Sequence, residues 1–297
     1  MQLAMHNWIR QEPIERTLDR LAQCGFDSIE LSGEPERWRV PDVRAQLNAR
    51  KLGCWGVVSV MTPGRDLVHA DPYMREATVR YMKDCVRITA ELDGQIFCTV
   101  PSTVGKLLPV AAPEDEWRWA VEGLQEVEAF ARPLGVRVGV EPIMRFETYF
   151  LNRHDQALRL AQDVGGTCGV ILDTFHLNIE ENDLLAAIRN TGKYLVGFHV
   201  ADNNRYPPGQ GALCWRDIIA TLGETGYDGA LTVEYVLPAD VSPLAGAQET
   251  GEYVAVVGTD TFIRDHGGGT VGDARFTRLA RESVEYLRAL VNNSGWK

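Results

Sequence analysis

The chain has 297 residues, 45% of them hydrophobic and 24% charged, which leaves room for one large α/β domain or two ordinary ones. A formal net charge of −11, with no block rich in lysine and arginine, argues against a phosphate-tracking surface and so against a nucleic-acid partner. No apolar stretch approaches the roughly 20 residues a membrane span needs, and the opening MQLAMHNWIR lacks the basic start and apolar core of a secretory signal, so no membrane partner and a cytoplasmic location are expected.

Short apolar runs alternate with longer amphipathic segments along the whole chain. Strands are expected near 3–8, 27–31, 54–60, 95–100, 136–141, 169–173, 195–200 and 230–235. Helices are expected near 13–24, 41–51, 72–92, 114–134, 154–164, 181–191, 214–225 and 273–292. Gly25, Gly53, Gly135, Gly165 and Gly226 follow helical stretches and can supply left-handed caps. Eight strand–helix units predict a (β/α)8 TIM barrel, a single domain over 1–297. The rival, a doubly wound open sheet, lacks the GxGxxG turn after its first strand. One segment breaks the rhythm. Residues 237–271 are far too long for an ordinary βα loop and follow the last strand, so a lid, a subunit contact or a tolerated insertion on the strand C-terminal face is expected.

Six cysteines, Cys24, Cys54, Cys85, Cys98, Cys168 and Cys214, contain no CxxC pair, and several lie inside apolar runs. That favours buried thiols in a reducing compartment over a disulfide framework.

Four polar residues end consecutive strand-like runs: Glu141 in GVRVGVEP, Asp173 in CGVILDTFH, His199 in YLVGFHVAD and Glu234 in GALTVEY. In a barrel such positions converge at one face. Three carboxylates and one imidazole form a hard donor set suited to one divalent ion, Mn²⁺, Mg²⁺ or Co²⁺, rather than to a thiolate zinc site. Around them lie Arg145 and Glu147, then His176, then Asp202, Asn203, Asn204 and Arg205, the donor-rich surface a sugar requires. Blander readings exist: Arg145 and Glu147 as a local ion pair, His176 as a helix cap. Glu30 ends the second strand, in a polar ring or a buried charge network. Ser102 and Lys106 follow the fourth strand, with Lys106 read as solvated or anion-binding. Trp117 and Trp119 sit on one helix and are expected in packing or an interface.

The runs RFETYFLN, LDTFHLNIEE, GKYLVGFHVADNNR and GYDGALTVE resemble the D-tagatose 3-epimerase group of the xylose-isomerase-like TIM barrels, which includes ketose 3-epimerases. The resemblance covers nearly all the chain and is densest from 136 to 235. It implies that Glu141, Asp173, His199 and Glu234 bind the metal, with Mn²⁺ or Co²⁺ common. It implies that Glu141 and Glu234 are the paired acid/base residues, and that Glu147, His176 and Arg205 hold a keto-sugar substrate near its carbonyl end. Homo-oligomers are common in the group. Three departures touch the sugar-facing rim: Asp202 stands where the group usually has Glu, His6 and Trp8 stand where a tyrosine-rich stretch is usual, and 237–271 is long. They leave open a metal-dependent lyase acting by β-elimination on a 3-keto-glycoside or keto-inositol, with a small partner subunit in some relatives. An aldose–ketose or hydroxypyruvate isomerase would need the same residues. A nuclease resembling endonuclease IV would need more histidines and a basic groove, and a non-catalytic sugar binder would not need both glutamates.

Overall fold

The structure, a computed structural model, describes residues 1–10, 12–237 and 272–294. Eight parallel strands close into a barrel in simple sequence order, β1 (Gln2–His6), β2 (Ser28–Gly33), β3 (Gly53–Ser59), β4 (Ile96–Thr99), β5 (Arg137–Val140), β6 (Gly169–Asp173), β7 (Leu195–Val200) and β8 (Ala230–Val233), with β8 pairing back onto β1. The connecting helices are α1 (Ile14–Cys24), α2 (Val40–Arg50), α3 (Pro72–Glu91), α4 (Pro113–Ala131), α5 (His154–Val164), α6 (Thr174–Glu180), α7 (Leu184–Thr191) and α8 (Trp215–Thr225); α9 (Asp273–Asn293) follows β8 and packs beside α1.

The expected single-domain TIM barrel is therefore what the chain forms, with each strand placed to within a few residues. Burial on both faces makes the strands continuous apolar runs rather than alternating ones. Two apolar layers result. One lies between strands and helices. The other fills the barrel axis around Ala4, Ile96, Ile171 and Ala230. Gly197 pairs with Ile171 across β6–β7, and a methyl group there would come within 2.9 Å of the Ile171 side chain, so the axis is packed solid below the mouth.

Two local expectations change. The helix expected near 181–191 is α7, and it is preceded by an unexpected one: α6 begins directly after Asp173, whose carboxylate accepts the Phe175 N–H at 2.8 Å and caps it. Gly53 opens β3, and the left-handed cap of α2 is Lys51, at φ 58°. Gly25 and Gly226 are left-handed caps as expected. All six cysteines are free thiols, five of them buried. Among the described residues no helix is long and apolar enough to cross a membrane. The long segment, apart from Leu237, lies outside the described residues.

Candidate active site

Strand register builds the site. His6 pairs with Glu30 on β1–β2; Asp173 pairs with His199 on β6–β7; His199 pairs with Thr232 on β7–β8. Side chains alternate faces every residue, so two residues toward the strand C-terminus from the axial Ala4, Ile171 and Ala230 come His6, Asp173 and Thr232. The layer above the apolar plug is polar. Glu141 and Glu234 each follow their strand by one residue.

Of the four residues expected to act together, His199 touches Glu141 and Glu234 directly, and Asp173 is joined to Glu234 through Arg205. His199 Nδ1 stands 2.9 Å from Glu141 Oε1 and 2.9 Å from Glu234 Oε2. Arg205, whose backbone is left-handed at φ 62°, spans Asp173 and Glu234, with Nη2 donating to Glu234 Oε1 at 2.6 Å and Nη1 to Asp173 Oδ2. Its guanidinium lies over the Phe175 ring, 4.5 Å from the centroid. Glu141, Asp173, His199 and Glu234 are all nearly sealed from solvent. Burial pushes the Glu234 carboxyl up, but Arg205, His6 and His199 outweigh it and hold it well below the usual carboxylate range. Burial likewise pushes the His199 imidazole down, and Glu141, Glu30 and Glu234 together lift it well above its ordinary value.

A cleft of about 540 Å³, counting its open mouth, lies over this layer. Its polar wall is Glu141, Glu147, His176, Arg205 and Glu234; its apolar wall includes Trp8, Val58, Met61, Val100 and Val104. His176 is fixed by accepting the Met144 N–H at Nδ1, 3.2 Å, and its Nε2 lies 3.7 Å from Asp173 Oδ2. Glu147 and Trp8 line the cleft. His6 is placed one level down: its Nε2 is 3.0 Å from Glu234 Oε2 and its ring meets that of His199 edge-on at 4.7 Å.

Other residues take roles their neighbours in sequence could not reveal. Lys106 is neither solvated nor free for an anion: its Nζ is tied to Asp66 at 2.7 Å and to the Val68 carbonyl at 3.0 Å, a pair only slightly exposed. Arg145 pairs with Glu180. Asp202 is fully buried and organises its own loop, accepting from Trp215 Nε1 at 2.8 Å and from the backbone of Asn203, Gly209 and Leu213. A methyl group on Gly211 would come within 2.2 Å of the Asp202 carboxylate, which explains the glycine. Trp117 packs on Phe150 and donates to Asp163. Cys98, missed as a site neighbour, donates its thiol to Glu141 Oε2 at 3.3 Å.

Groups of donor atoms in this layer could hold a divalent ion. Ligand atoms at right angles around a small divalent ion with roughly 2.1 Å bonds stand roughly 3 Å apart, and His199 Nδ1 already keeps 2.9 Å from an oxygen of each glutamate. Donor atoms of Glu141, Asp173 and His176 lie within 4.8 Å of one another, as do those of His6, His199 and Glu234.

Comparison with known proteins gives the family. A model of the Xylose isomerase-like TIM barrel family matches residues 18–255. The D-psicose 3-epimerase of Enterocloster bolteae is 37% identical over 234 residues, 74% of this chain and 76% of the relative. That of Agrobacterium fabrum is 29% identical over 282 residues, 91% of each chain. The crystal structure of D-psicose 3-epimerase from Clostridium cellulolyticum H10 with D-tagatose superposes with a TM-score of 0.82 at 21% identity, covering 98% of this chain and 99% of that one. The family model spans most of the chain, so the chain belongs to the Xylose isomerase-like TIM barrel family, among relatives that are sugar epimerases.

Proposed function

We propose that the chain is a divalent-metal-dependent epimerase of a free keto sugar, inverting the carbon next to the carbonyl. The observation that carries this reading is the convergence of two buried carboxylates, Glu141 from β5 and Glu234 from β8, on one imidazole at the floor of a cleft. Glu141, Asp173, His199 and Glu234 would hold the ion, for which a donor set of carboxylates and one imidazole favours Mn²⁺, with Co²⁺ or Mg²⁺ as substitutes. When bound, the ion supplies Lewis-acid stabilisation of negative charge on the substrate oxygens.

The chain's own residues do the rest. One glutamate takes the proton from the carbon beside the carbonyl; the C–H electron pair becomes a C=C bond and the carbonyl π pair moves to oxygen. The second glutamate, which enters the step protonated, gives its proton to the opposite face, the enediolate collapses to the ketone, the configuration inverts, and the two carboxyls end with their protonation states exchanged. A positioned acid/base group of this kind is worth about 10²–10⁴-fold. Glu141 and Glu234 stand on strands separated by β6 and β7, which suits attack from two sides of one carbon. Arg205 and His176, preorganised by Asp173, Glu234 and the Met144 N–H, donate to substrate oxygens as charge gathers there. Glu147 accepts from a hydroxyl, and Trp8 stacks on the apolar side.

Incubation of the Mn²⁺-loaded protein in D₂O with a panel of free ketoses and 3-keto-glycosides tests the assignment by NMR. Deuterium at the inverted carbon of a ketose is expected. Release of an aglycone would replace the reading with elimination, and no exchange by verified metal-loaded protein on any ketose would end it.

A further inference from the structure

Glu30 has no part in the mechanism above, yet its carboxylate is wholly buried at the barrel axis, and the described residues pair it with no lysine or arginine. An isolated buried carboxylate is costly, so its partners should explain it. Oε2 accepts the Thr232 hydroxyl at 2.7 Å. Oε1 has no hydrogen bond and faces His199 Nε2 at 3.4 Å, a nitrogen that is itself buried without a hydrogen bond. The other nitrogen of the same ring faces Glu141 and Glu234. The imidazole is thus flanked: one carboxylate behind, two in front.

Resting on the metal-dependent reading, we propose that Glu30 is a positioning residue that takes the Nε2–H of His199, fixes the ring's tautomer, and keeps the Nδ1 lone pair aimed at the ion held by Glu141 and Glu234. A carboxylate behind a ligating imidazole orients the ring and raises its basicity. The tautomer follows from the proposed ion, since either ring nitrogen faces a carboxylate and only a cation beside Nδ1 requires that nitrogen to give up its proton. With Nε2–H donated backward, the Nδ1 lone pair points at two carboxylate oxygens, an arrangement that only a cation between them makes favourable. Thr232, the register partner of His199, holds the far oxygen of Glu30 and so aims the near one. Donor atoms of Glu30, Cys98 and His199 also lie within 4.8 Å of one another, so a rival in which Glu30 is itself a ligand of a second ion makes a different prediction.

Two measurements test the assignment. In protein labelled with ¹⁵N-histidine and loaded with diamagnetic Mg²⁺, long-range ¹H–¹⁵N spectra should show His199 protonated at Nε2; protonation at Nδ1 instead overturns the proposal. Titration with Mn²⁺, following the free ion by EPR, should give one equivalent per wild-type chain. Glu30→Gln, with unchanged near-ultraviolet circular dichroism, should bind Mn²⁺ roughly 10–100-fold more weakly, and Thr232→Val should weaken it by a smaller factor. Wild-type affinity in a folded Glu30→Gln variant overturns the proposal, and so does a second wild-type equivalent that disappears in Glu30→Gln. Should Glu30→Gln fail to fold, the wild-type spectrum still decides. A wild-type chain that binds no Mn²⁺ would sink the functional reading itself, a result distinct from equal binding by the two proteins.

Discussion

Around the mouth of the barrel, the side formed by β5 to β8 carries Glu141, Asp173, His199, Glu234 and Arg205, cross-linked to one another by short polar contacts. The side formed by β1 to β4 carries Trp8, Val58, Met61, Val100 and Val104, and its loops are tied from outside the cleft by Lys106 and Asp66. On the first side the side chains that face the cleft also hold each other in place. On the second, fixing and facing are separate tasks given to different residues. Substitution should therefore alter chemistry on one side, and stability or substrate fit on the other.

The largest effect should come from Glu141→Gln and Glu234→Gln. Each keeps the shape and removes a base, so kcat for inversion should fall by about 10²–10⁴-fold or more, measured as loss of conversion between the two epimeric ketoses. Full activity in either variant would refute the two-base assignment. Removing divalent ions with EDTA should abolish turnover, and Mn²⁺ or Co²⁺ should restore it; a verified metal-free sample that still turns over would remove the ion from the mechanism.

Lys106→Met comes next and should act through stability. It leaves Asp66 buried beside the Val68 carbonyl without its cation, a loss of about 3 kcal/mol, at the low end for a buried pair because Lys106 keeps some solvent contact. The urea midpoint measures it, with kcat of the remaining folded protein little changed. A stable variant with collapsed kcat would move Lys106 into the chemistry and erase the division between the two sides. Val58→Thr adds a hydroxyl to the apolar wall at constant volume. KM should rise about tenfold at most with kcat held; a drop in kcat alone would show that this wall contacts the reacting carbon.

These predictions also mark what the sequence could disclose. Glu141, Asp173, His199 and Glu234 were legible because each ends an apolar run, and a barrel converts equal positions on successive strands into neighbours. Lys106 and Asp202 were not legible. Their partners Asp66 and Trp215 lie on other loops or helices, and only the closed barrel brings them near. α6 was missed because a seven-residue helix carries too few turns for periodicity, and its cap is Asp173, a residue already claimed by the metal reading. Glu30 was seen to end its strand, yet nothing local could reveal that His199 would turn its second nitrogen toward it.

The smallest effect concerns the outer brace of the polar side. Arg145 donates to Glu180 through its backbone N–H at 2.7 Å and its guanidinium at 2.8 Å, linking the loop after β5 to α6, the helix that carries His176. Burial pushes the Glu180 carboxyl up, but the hydrogen bonds and charge of Arg145 outweigh it and hold it below its ordinary value. A carboxyl depressed in the folded state contributes stability above its unfolded value, about 4.3 for glutamate, and loses it as pH falls through the folded value. Glu180→Gln should therefore lower the urea midpoint slightly and evenly from about pH 6 to 8, because the exposed guanidinium is screened by solvent. The gap from wild type should close below about pH 4. A gap that widens on acidification would mean that the link between the β5 loop and α6 rests on packing rather than charge, and the polar side would then owe its rigidity to the same forces as the apolar one.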